Sequence, residues 1–170
     1  AQLNITENCI DRHLEVNGNK TAILFEPNDP NDLSEAISYN ELHIRVNQFA
    51  NVLKSKGIQK GDRICIYLPM IPELAISVLA CARIGAIHSV VFAGFSASAL
   101  STRINDCDCK MVITSDGGYR GAKTIDLKSI VDTALLDCSG IESVLVAKRI
   151  NSDISMVSGR DFWLQPLLDA

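Results

Sequence analysis

From residue 38 onward, stretches with helical periodicity alternate with short apolar runs rich in β-branched residues. This alternation is the feature that most limits the fold. The four apolar runs are Arg63–Leu68, Ile87–Phe92, Lys110–Thr114 and Val144–Ala147. Strands that alternate with helices are typical of βαβ units, which build a mainly parallel sheet with helices on both faces. The sequence therefore predicts an open, three-layer α/β domain.

The helix that follows Ser38 has the clearest amphipathic pattern. Ser38 and Glu41 have the spacing of a capping box, and Gly57 follows the last turn. The apolar positions that share one face of this helix are Leu42, Val46, Phe49, Ala50 and Leu53. Further helices are predicted over 73–84, ending at Gly85, and from Ser96 to about residue 105.

The ends of the chain are predicted to be smaller additions to this core. Asn4–Leu14 indicates a short helix, and Thr21–Phe25 and Ala36–Ser38 indicate a β-hairpin. A last helix is predicted over 161–168. We therefore expect one α/β segment over 1–170, with a helix-plus-hairpin preamble over 1–38, a βαβ core over 39–150, and a loop and partial helix over 151–170.

Composition excludes several classes of protein. The net charge is −4, the pI is about 5.3, and no basic stripe is present, so a nucleic-acid partner is not expected. Charges, prolines and Gly85 divide the most apolar stretch, residues 64–93, so no membrane span is expected. The six cysteines lack metal-ligand spacing and predict free thiols in a reducing compartment, the cytoplasm.

Ligands of open α/β sheets bind beyond the carboxyl ends of the strands, and the first loop of interest there is Val91–Ser96. Gly94 lets a ligand approach the backbone, and the following helix offers unpaired N–H groups at its start. The alternative is a plain strand-to-helix turn with Ser96 as its cap.

The second loop is the glycine-rich stretch Ser115–Lys123. Its three glycines allow tight curvature, and Arg120 and Lys123 can converge on one anion. The stretch matches neither the Walker pattern nor G-x-G-x-x-G. The alternative is a solvated turn with ordinary surface cations.

Other chemically interesting residues point to structural roles. His88 lies in an apolar run and is predicted to be a core histidine, and Cys107 and Cys109 have the wrong spacing for a metal site. No G-x-S-x-G nucleophile motif is present. Local chemistry thus predicts a phosphate-binding site and no catalytic residues.

Several blocks of sequence together resemble one family. They are Asn8–Leu14, Tyr39–His43, Phe49–Lys54, Lys60–Asp62, Tyr67–Glu73, Ala80–Phe92, Gly94–Ser96, Arg103–Ile104 and Val112–Thr114. The chain, from about residue 3 to residue 147, resembles the N-terminal part of the AMP-forming acetyl-CoA synthetases, within the adenylate-forming superfamily. This resemblance implies that the α/β segment is part of a large N-terminal domain.

The resemblance also implies an activity and its substrates. Acetate and ATP would give acetyl-AMP and pyrophosphate, with Mg²⁺ as cofactor, and CoA would then displace AMP. In this family the loop matching Arg120-Gly121-Ala122-Lys123 binds the phosphorylated adenosine end of CoA, and the glycine matching Gly94 lines the pantetheine tunnel. Two positions depart from the family pattern: Ala93 replaces a common second glycine, and Ala97 a common proline.

The family's ATP-phosphate loop, acyl pocket and catalytic lysine have no counterpart in this chain. The chain is therefore predicted to be a fragment that supplies part of the CoA site, is inactive alone and packs against the rest of its parent polypeptide. ATP and Mg²⁺ would bind outside it. A ligase for propionate or another short acid remains an alternative, and so does a stand-alone, non-catalytic α/β binding module.

Overall fold

The computed structural model describes residues 3–29, 31 and 33–170. Its strands are β1 (Thr21–Phe25), β2 (Glu35–Ser38), β3 (Arg63–Tyr67), β4 (Ile87–Val90), β5 (Met111–Ser115), β6 (Gly118–Arg120), β7 (Lys123–Ile125), β8 (Ser143–Ala147) and β9 (Asp161–Trp163). Its helices are α1 (Ile5–Cys9), α2 (Leu14–Asn17), α3 (Tyr39–Ser55), α4 (Pro72–Ile84), α5 (Ala97–Asp106), α6 (Leu127–Leu135) and α7 (Leu164–Leu168).

The central sheet has five strands, all parallel, in the order β4–β3–β5–β8–β9. The predicted α/β class is confirmed. Two antiparallel hairpins lie outside this sheet, β1–β2 near the N-terminus and β6–β7 immediately after β5. The sequence predicted a glycine-rich loop over Ser115–Lys123, and the structure forms the second hairpin in this region.

Helices cover the three central strands on both faces. Side chains that alternate along a strand point to opposite faces, and β3 shows this clearly. Ile64 and Ile66 join the core formed with α3, α4 and α7, whereas Cys65 and Tyr67 join the core formed with α5 and α6. Every residue of β5 and β8 is buried. Two apolar cores therefore enclose the middle of the sheet.

The predicted helix boundaries are largely confirmed, because the capping residues act as expected. Ser38 accepts a hydrogen bond from the Glu41 N–H at the start of α3, and Ser96 accepts one from the Ala99 N–H at the start of α5. Gly85 ends α4 with φ of 75°, a conformation that favours glycine. Local signals at these positions agree with the tertiary structure.

Strand β4 differs from the prediction. It lies at the edge of the sheet, and Ile87, His88 and Val90 are exposed. The expectation that His88 is a core histidine is wrong, because an edge strand outside the helix layers leaves its side chains in solvent. Apolar composition alone did not distinguish this edge strand from the buried central ones.

The first and last segments also differ from the predicted helices. Residues 5–17 form α1, a 3₁₀ turn over Asp11–His13, and α2, instead of one helix. In this segment Ile10 is buried, whereas Ile5 and Cys9 are exposed. At the other end, residues 161–163 form β9, and only 164–168 are helical.

A buried ion cluster, formed by Lys128, Asp132, Arg160 and Asp161, joins α6 to β9. Lys128 Nζ lies 2.7 Å from Asp132 Oδ1 and 2.9 Å from Asp161 Oδ2, and it donates to the Ser155 carbonyl at 2.9 Å. Arg160 contacts both carboxylates. Burial by itself raises the pKa of Asp161, but the hydrogen bonds from Arg160, the Val157 N–H and Lys128 outweigh it and lower that pKa.

No helix among the described residues is both long enough and apolar enough to cross a bilayer.

Candidate functional site

A cavity of about 430 Å³ opens at the carboxyl edge of the sheet, and we call it the carboxyl-edge cavity. Residues that follow β3, β4 and β8 contribute to its walls, as ligand sites of open α/β sheets generally require. Its lining residues are Asn28, Leu68, Pro69, Met70, Ile71, Leu74, Val90, Val91, Phe92, Ala93, Tyr119, Arg120, Ile125 and Arg149. Both loops singled out in the sequence therefore reach one cavity, the first through Phe92 and Ala93 and the second through Arg120.

The β6–β7 hairpin presents the two predicted cations. Arg120 and Lys123 are directly opposite each other across the two-residue turn Gly121-Ala122. Directly opposed residues of an antiparallel pair project from the same face, so both side chains leave the same side of the hairpin. Gly121 has φ of 60°, which a two-residue hairpin turn favours at its first central position.

The structure separates the roles that these two cations can take. All four residues 120–123 are exposed, but Arg120 lines the carboxyl-edge cavity and Lys123 is not among its lining residues. Among the residues that the structure describes, neither cation lies within 4.0 Å of a carboxylate. The positive charge of the hairpin is therefore presented to solvent and to the cavity mouth.

Gly94 lies beside this cavity, in the exposed turn between β4 and α5. A Cβ atom at this position would approach Cε1 of the Phe92 ring to 2.6 Å. A side chain at this position would therefore require the exposed Phe92 ring to shift. Ala93, where the family pattern has a second glycine, lines the cavity directly.

A hydrogen bond ties this turn to the central sheet. The hydroxyl of Tyr67, the last residue of β3, donates to the Phe95 carbonyl at 2.8 Å. Burial raises the pKa of the Tyr67 hydroxyl, so it remains a neutral donor at physiological pH. This hydrogen bond thus holds the turn that carries Gly94 against the end of β3.

Asp116 organises the site, and the sequence analysis did not recognise its role. Its side chain is fully buried directly after β5, and its Oδ1 accepts hydrogen bonds from the N–H groups of Gly117 at 2.8 Å, Arg149 at 2.7 Å and Ile150 at 3.1 Å. Its Oδ2 accepts from the Ser152 N–H at 3.2 Å. One carboxylate therefore joins the base of the β6–β7 hairpin to the loop after β8. An aspartate between a strand and two glycines was the available signal, since such residues often bond nearby N–H groups.

Arg149 is the second residue that the sequence analysis missed. Its guanidinium carbon lies 5.5 Å from the centre of the Phe25 ring and 5.3 Å from that of the Tyr119 ring, both within cation–π range. Arg149 also lines the carboxyl-edge cavity. No local motif marks it, because Phe25, Tyr119 and Arg149 come from three separate parts of the chain.

Among the other described residues, the cysteine, histidine and carboxylate side chains form no second site of this kind. The six cysteines are free thiols, and burial raises the pKa of Cys81 and of Cys109 to about 12, which keeps both protonated and unreactive. Within the ranges 3–29, 31 and 33–170, no three His, Cys, Asp or Glu side chains converge as a metal site would require. The carboxyl-edge cavity therefore remains the candidate functional site.

Comparison with known proteins identifies the family of this chain. The family model described as "AMP-binding enzyme" matches residues 10–158. The chain is 55% identical over 163 residues to the acetyl-coenzyme A synthetase of Alkalilimnicola ehrlichii, covering 96% of this chain and 25% of that protein. It is 54% identical over 170 residues to acetyl-coenzyme A synthetase 2 of Pseudomonas aeruginosa, covering all of this chain and 26% of that protein.

A third relative gives the same result. Acetyl-coenzyme A synthetase 2 of Pseudomonas putida is 56% identical over 163 residues, which cover 96% of this chain and 25% of that protein. The chain thus spans about a quarter of the length of these relatives. Since the family model covers most of the chain and the relatives match nearly all of it, this protein belongs to the AMP-binding enzyme family.

Proposed function

We propose that this chain is part of an acetate–CoA ligase, in which it supplies part of the CoA site. The observation that carries the proposal is that Arg120 and the Phe92–Ala93 wall border one cavity at the carboxyl edge of the sheet. The curated relatives, which are acetyl-CoA synthetases by name, support the choice of reaction.

In the proposed reaction, a carboxylate oxygen of acetate attacks the α-phosphorus of ATP, giving acetyl-AMP and pyrophosphate. The sulfur of CoA then attacks the acetyl carbon and AMP leaves. ATP and Mg²⁺ would bind to other parts of the full-length protein, where Mg²⁺ would offset phosphate charge. The residues of this chain would bind and orient the third substrate, CoA.

The residues in and beside the cavity suit different parts of CoA. The exposed guanidinium of Arg120 and ammonium of Lys123 provide a fork and a mobile point charge for phosphate groups. The apolar walls, which include Met70, Phe92 and Ile125, suit less polar portions of the molecule. We assign Gly94 to the passage of the pantetheine arm, because a side chain there would displace Phe92, a residue that lines the cavity.

The hairpin assignment is tested in the full-length protein with the double variant Arg120→Ala, Lys123→Ala. Each lost charge-assisted contact, worth about 1.5–3 kcal/mol, should raise KM for CoA about tenfold to a hundredfold, with a much smaller change in KM for ATP. Arg12→Ala with Lys20→Ala is the matched control, since it also removes one exposed arginine and one exposed lysine, neither of which lines the cavity. An equal rise in both KM values would contradict the assignment.

Gly94 is tested separately by Gly94→Ala. We expect slower acetyl transfer to CoA, with acetate-dependent exchange of pyrophosphate into ATP affected much less. A variant that slowed both half-reactions equally would argue against a role in the approach of the thiol.

Acetate as the acyl substrate and this chain's dependence on its parent are further parts of the proposal. Pyrophosphate exchange with acetate and with propionate distinguishes the acetate ligase from one for a longer acid. The isolated 170-residue chain should release no pyrophosphate above a protein-free control, and release above that control would contradict the proposal. The free thiols support the cytoplasm as the compartment.

A further inference from the structure

We propose that Arg149 is a second cationic binding residue for the phosphates of CoA, acting in the carboxyl-edge cavity together with Arg120 of the β6–β7 hairpin. This inference rests on the proposed function and extends it. Arg120 was recognisable from its glycine-rich surroundings, whereas Arg149 reaches the cavity from the loop after β8.

The backbone of Arg149 is fixed relative to the hairpin. The Arg149 N–H donates to Asp116 Oδ1 at 2.7 Å, and the same oxygen accepts from the Gly117 N–H at the base of the hairpin. One buried carboxylate therefore joins the backbone of Arg149 to the start of the hairpin that carries Arg120. A backbone that is held in place before binding reduces the conformational entropy that binding a polyanion would otherwise lose.

The side chain of Arg149 is also oriented before any ligand binds. Its guanidinium lies near the faces of Phe25 and Tyr119, and its Nη2 lies 3.4 Å from Asn28 Oδ1. Tyr119 is itself part of β6, so this contact links Arg149 to the strand that carries Arg120. Stacking uses the flat faces of a guanidinium and leaves N–H groups at its edge for phosphate oxygens.

The charges around the cavity favour an anion. Arg120 and Arg149 both line it, and within the described part of the chain neither makes an ion pair with a carboxylate. Among the residues that the structure describes, none of those lining the cavity is acidic. Two guanidinium groups above apolar walls suit a ligand that is both phosphorylated and partly apolar, and CoA is such a ligand.

The test uses the full-length protein with Arg149→Gln, which removes the charge and keeps a polar side chain. CoA and pantetheine, a neutral thiol acceptor without phosphates, are compared by kcat/KM. We expect the CoA-to-pantetheine ratio to fall about tenfold, because a half-buried charge-assisted contact lies at the lower end of the usual range, about 1.4 kcal/mol. Arg149→Lys, which keeps the charge, should recover most of the ratio.

Lys148→Gln is the matched control. Lys148 is the neighbouring cation, is exposed, and has its ammonium 5.1 Å from the centre of the Trp163 ring instead of in the cavity. Its variant should leave the ratio unchanged. A purely structural role of Arg149 would lower kcat/KM for both thiols equally and would overturn the proposal.

The Arg120→Ala, Lys123→Ala variant is measured in the same assay to separate the two proposals. If it lowers the ratio and Arg149→Gln does not, the CoA site stands and the role of Arg149 is wrong. If neither variant lowers the ratio, both proposals fail. A rise in KM for ATP as large as that for CoA in Arg149→Gln would assign this guanidinium to ATP and also overturn the inference.

Discussion

The β6–β7 hairpin and the buried ion cluster each contain one arginine and one lysine, but they use these charges differently. Lys128 is fully buried, and with Arg160 it contacts Asp132 and Asp161. Arg120 and Lys123 are exposed, and among the described residues no carboxylate lies within 4.0 Å of them. The cluster neutralises its charges inside the protein, whereas the hairpin presents them at a cavity.

This difference separates structural cations from cations available to a ligand. A buried charge without its partner is strongly unfavourable, so the cluster must stay paired for β9 to remain next to α6. Removing an exposed cation changes the free energy of unfolding little, so its removal should mainly weaken ligand binding. Substitutions in the ion cluster should therefore lower mainly the free energy of unfolding, whereas substitutions in the hairpin should raise mainly KM for CoA.

The largest effect on stability is expected for Lys128→Ala in the full-length protein. The change leaves Asp161 buried beside one fewer cation and should lower the free energy of unfolding by about 3–5 kcal/mol. Denaturant unfolding measures this, with Lys123→Ala as the exposed-lysine control, which should change it by about 0.5 kcal/mol or less. Equal losses of unfolding free energy in Lys128→Ala and Lys123→Ala would contradict the distinction between structural and ligand-binding cations.

Asp116→Ala should have an intermediate effect, and it should change both the free energy of unfolding and KM for CoA. It leaves backbone N–H groups of Gly117, Arg149, Ile150 and Ser152 without their acceptor, at a cost of about 1–3 kcal/mol. Because the same carboxylate joins the hairpin to the β8 loop, KM for CoA should also rise. A stability loss with an unchanged KM would show that this carboxylate does not position the site.

Acid should weaken the buried cluster before it affects the hairpin. The folded-state pKa of Asp161 is lowered, so its contribution to stability is present above the unfolded-state pKa and is lost as pH falls through the folded-state value. The free energy of unfolding should therefore decline below about pH 4, the ordinary carboxyl range. Asp161→Asn should be less stable at neutral pH and should show a shallower decline. An identical acid slope in the two proteins would contradict this role.

The smallest effect is expected for Gly121→Ala. No atom lies within 4 Å of the added Cβ, but φ of 60° should cost about 1 kcal/mol in a residue other than glycine. Gly159→Ala is the matched control, because Gly159 has φ of 81° and equally open surroundings. Both should lower thermal stability slightly, and only Gly121→Ala should raise KM for CoA. A rise in both variants would point to a general loss of stability.

Much of the fold could be predicted from local patterns. The helix caps at Ser38 and Ser96 and the positive φ at Gly85 are properties of a few neighbouring residues, and the structure has them. The parallel sheet followed from the alternation of elements. Edge position could not be predicted in this way, because the apolar run Ile87–Phe92 has no local signal for an edge strand and the exposure of β4 follows from its place in the strand order.

The candidate site could be predicted only in part. Arg120, Lys123 and Gly94 were identified within two glycine-containing loops, but their common position at the carboxyl edge required the order of β3, β4 and β5. Asp116 had a weak local signal. Arg149 had none, since its partners Phe25 and Tyr119 are distant in sequence.

The amino-acid sequence by itself determined the periodicity of the elements, their caps and the presence of a cationic turn, because each depends on interactions between near neighbours. The tertiary structure alone decided which strand is at the edge, which cations are neutralised and which face a cavity. Those outcomes depend on burial and on contacts between distant segments, which the order of residues does not reveal until the chain is folded.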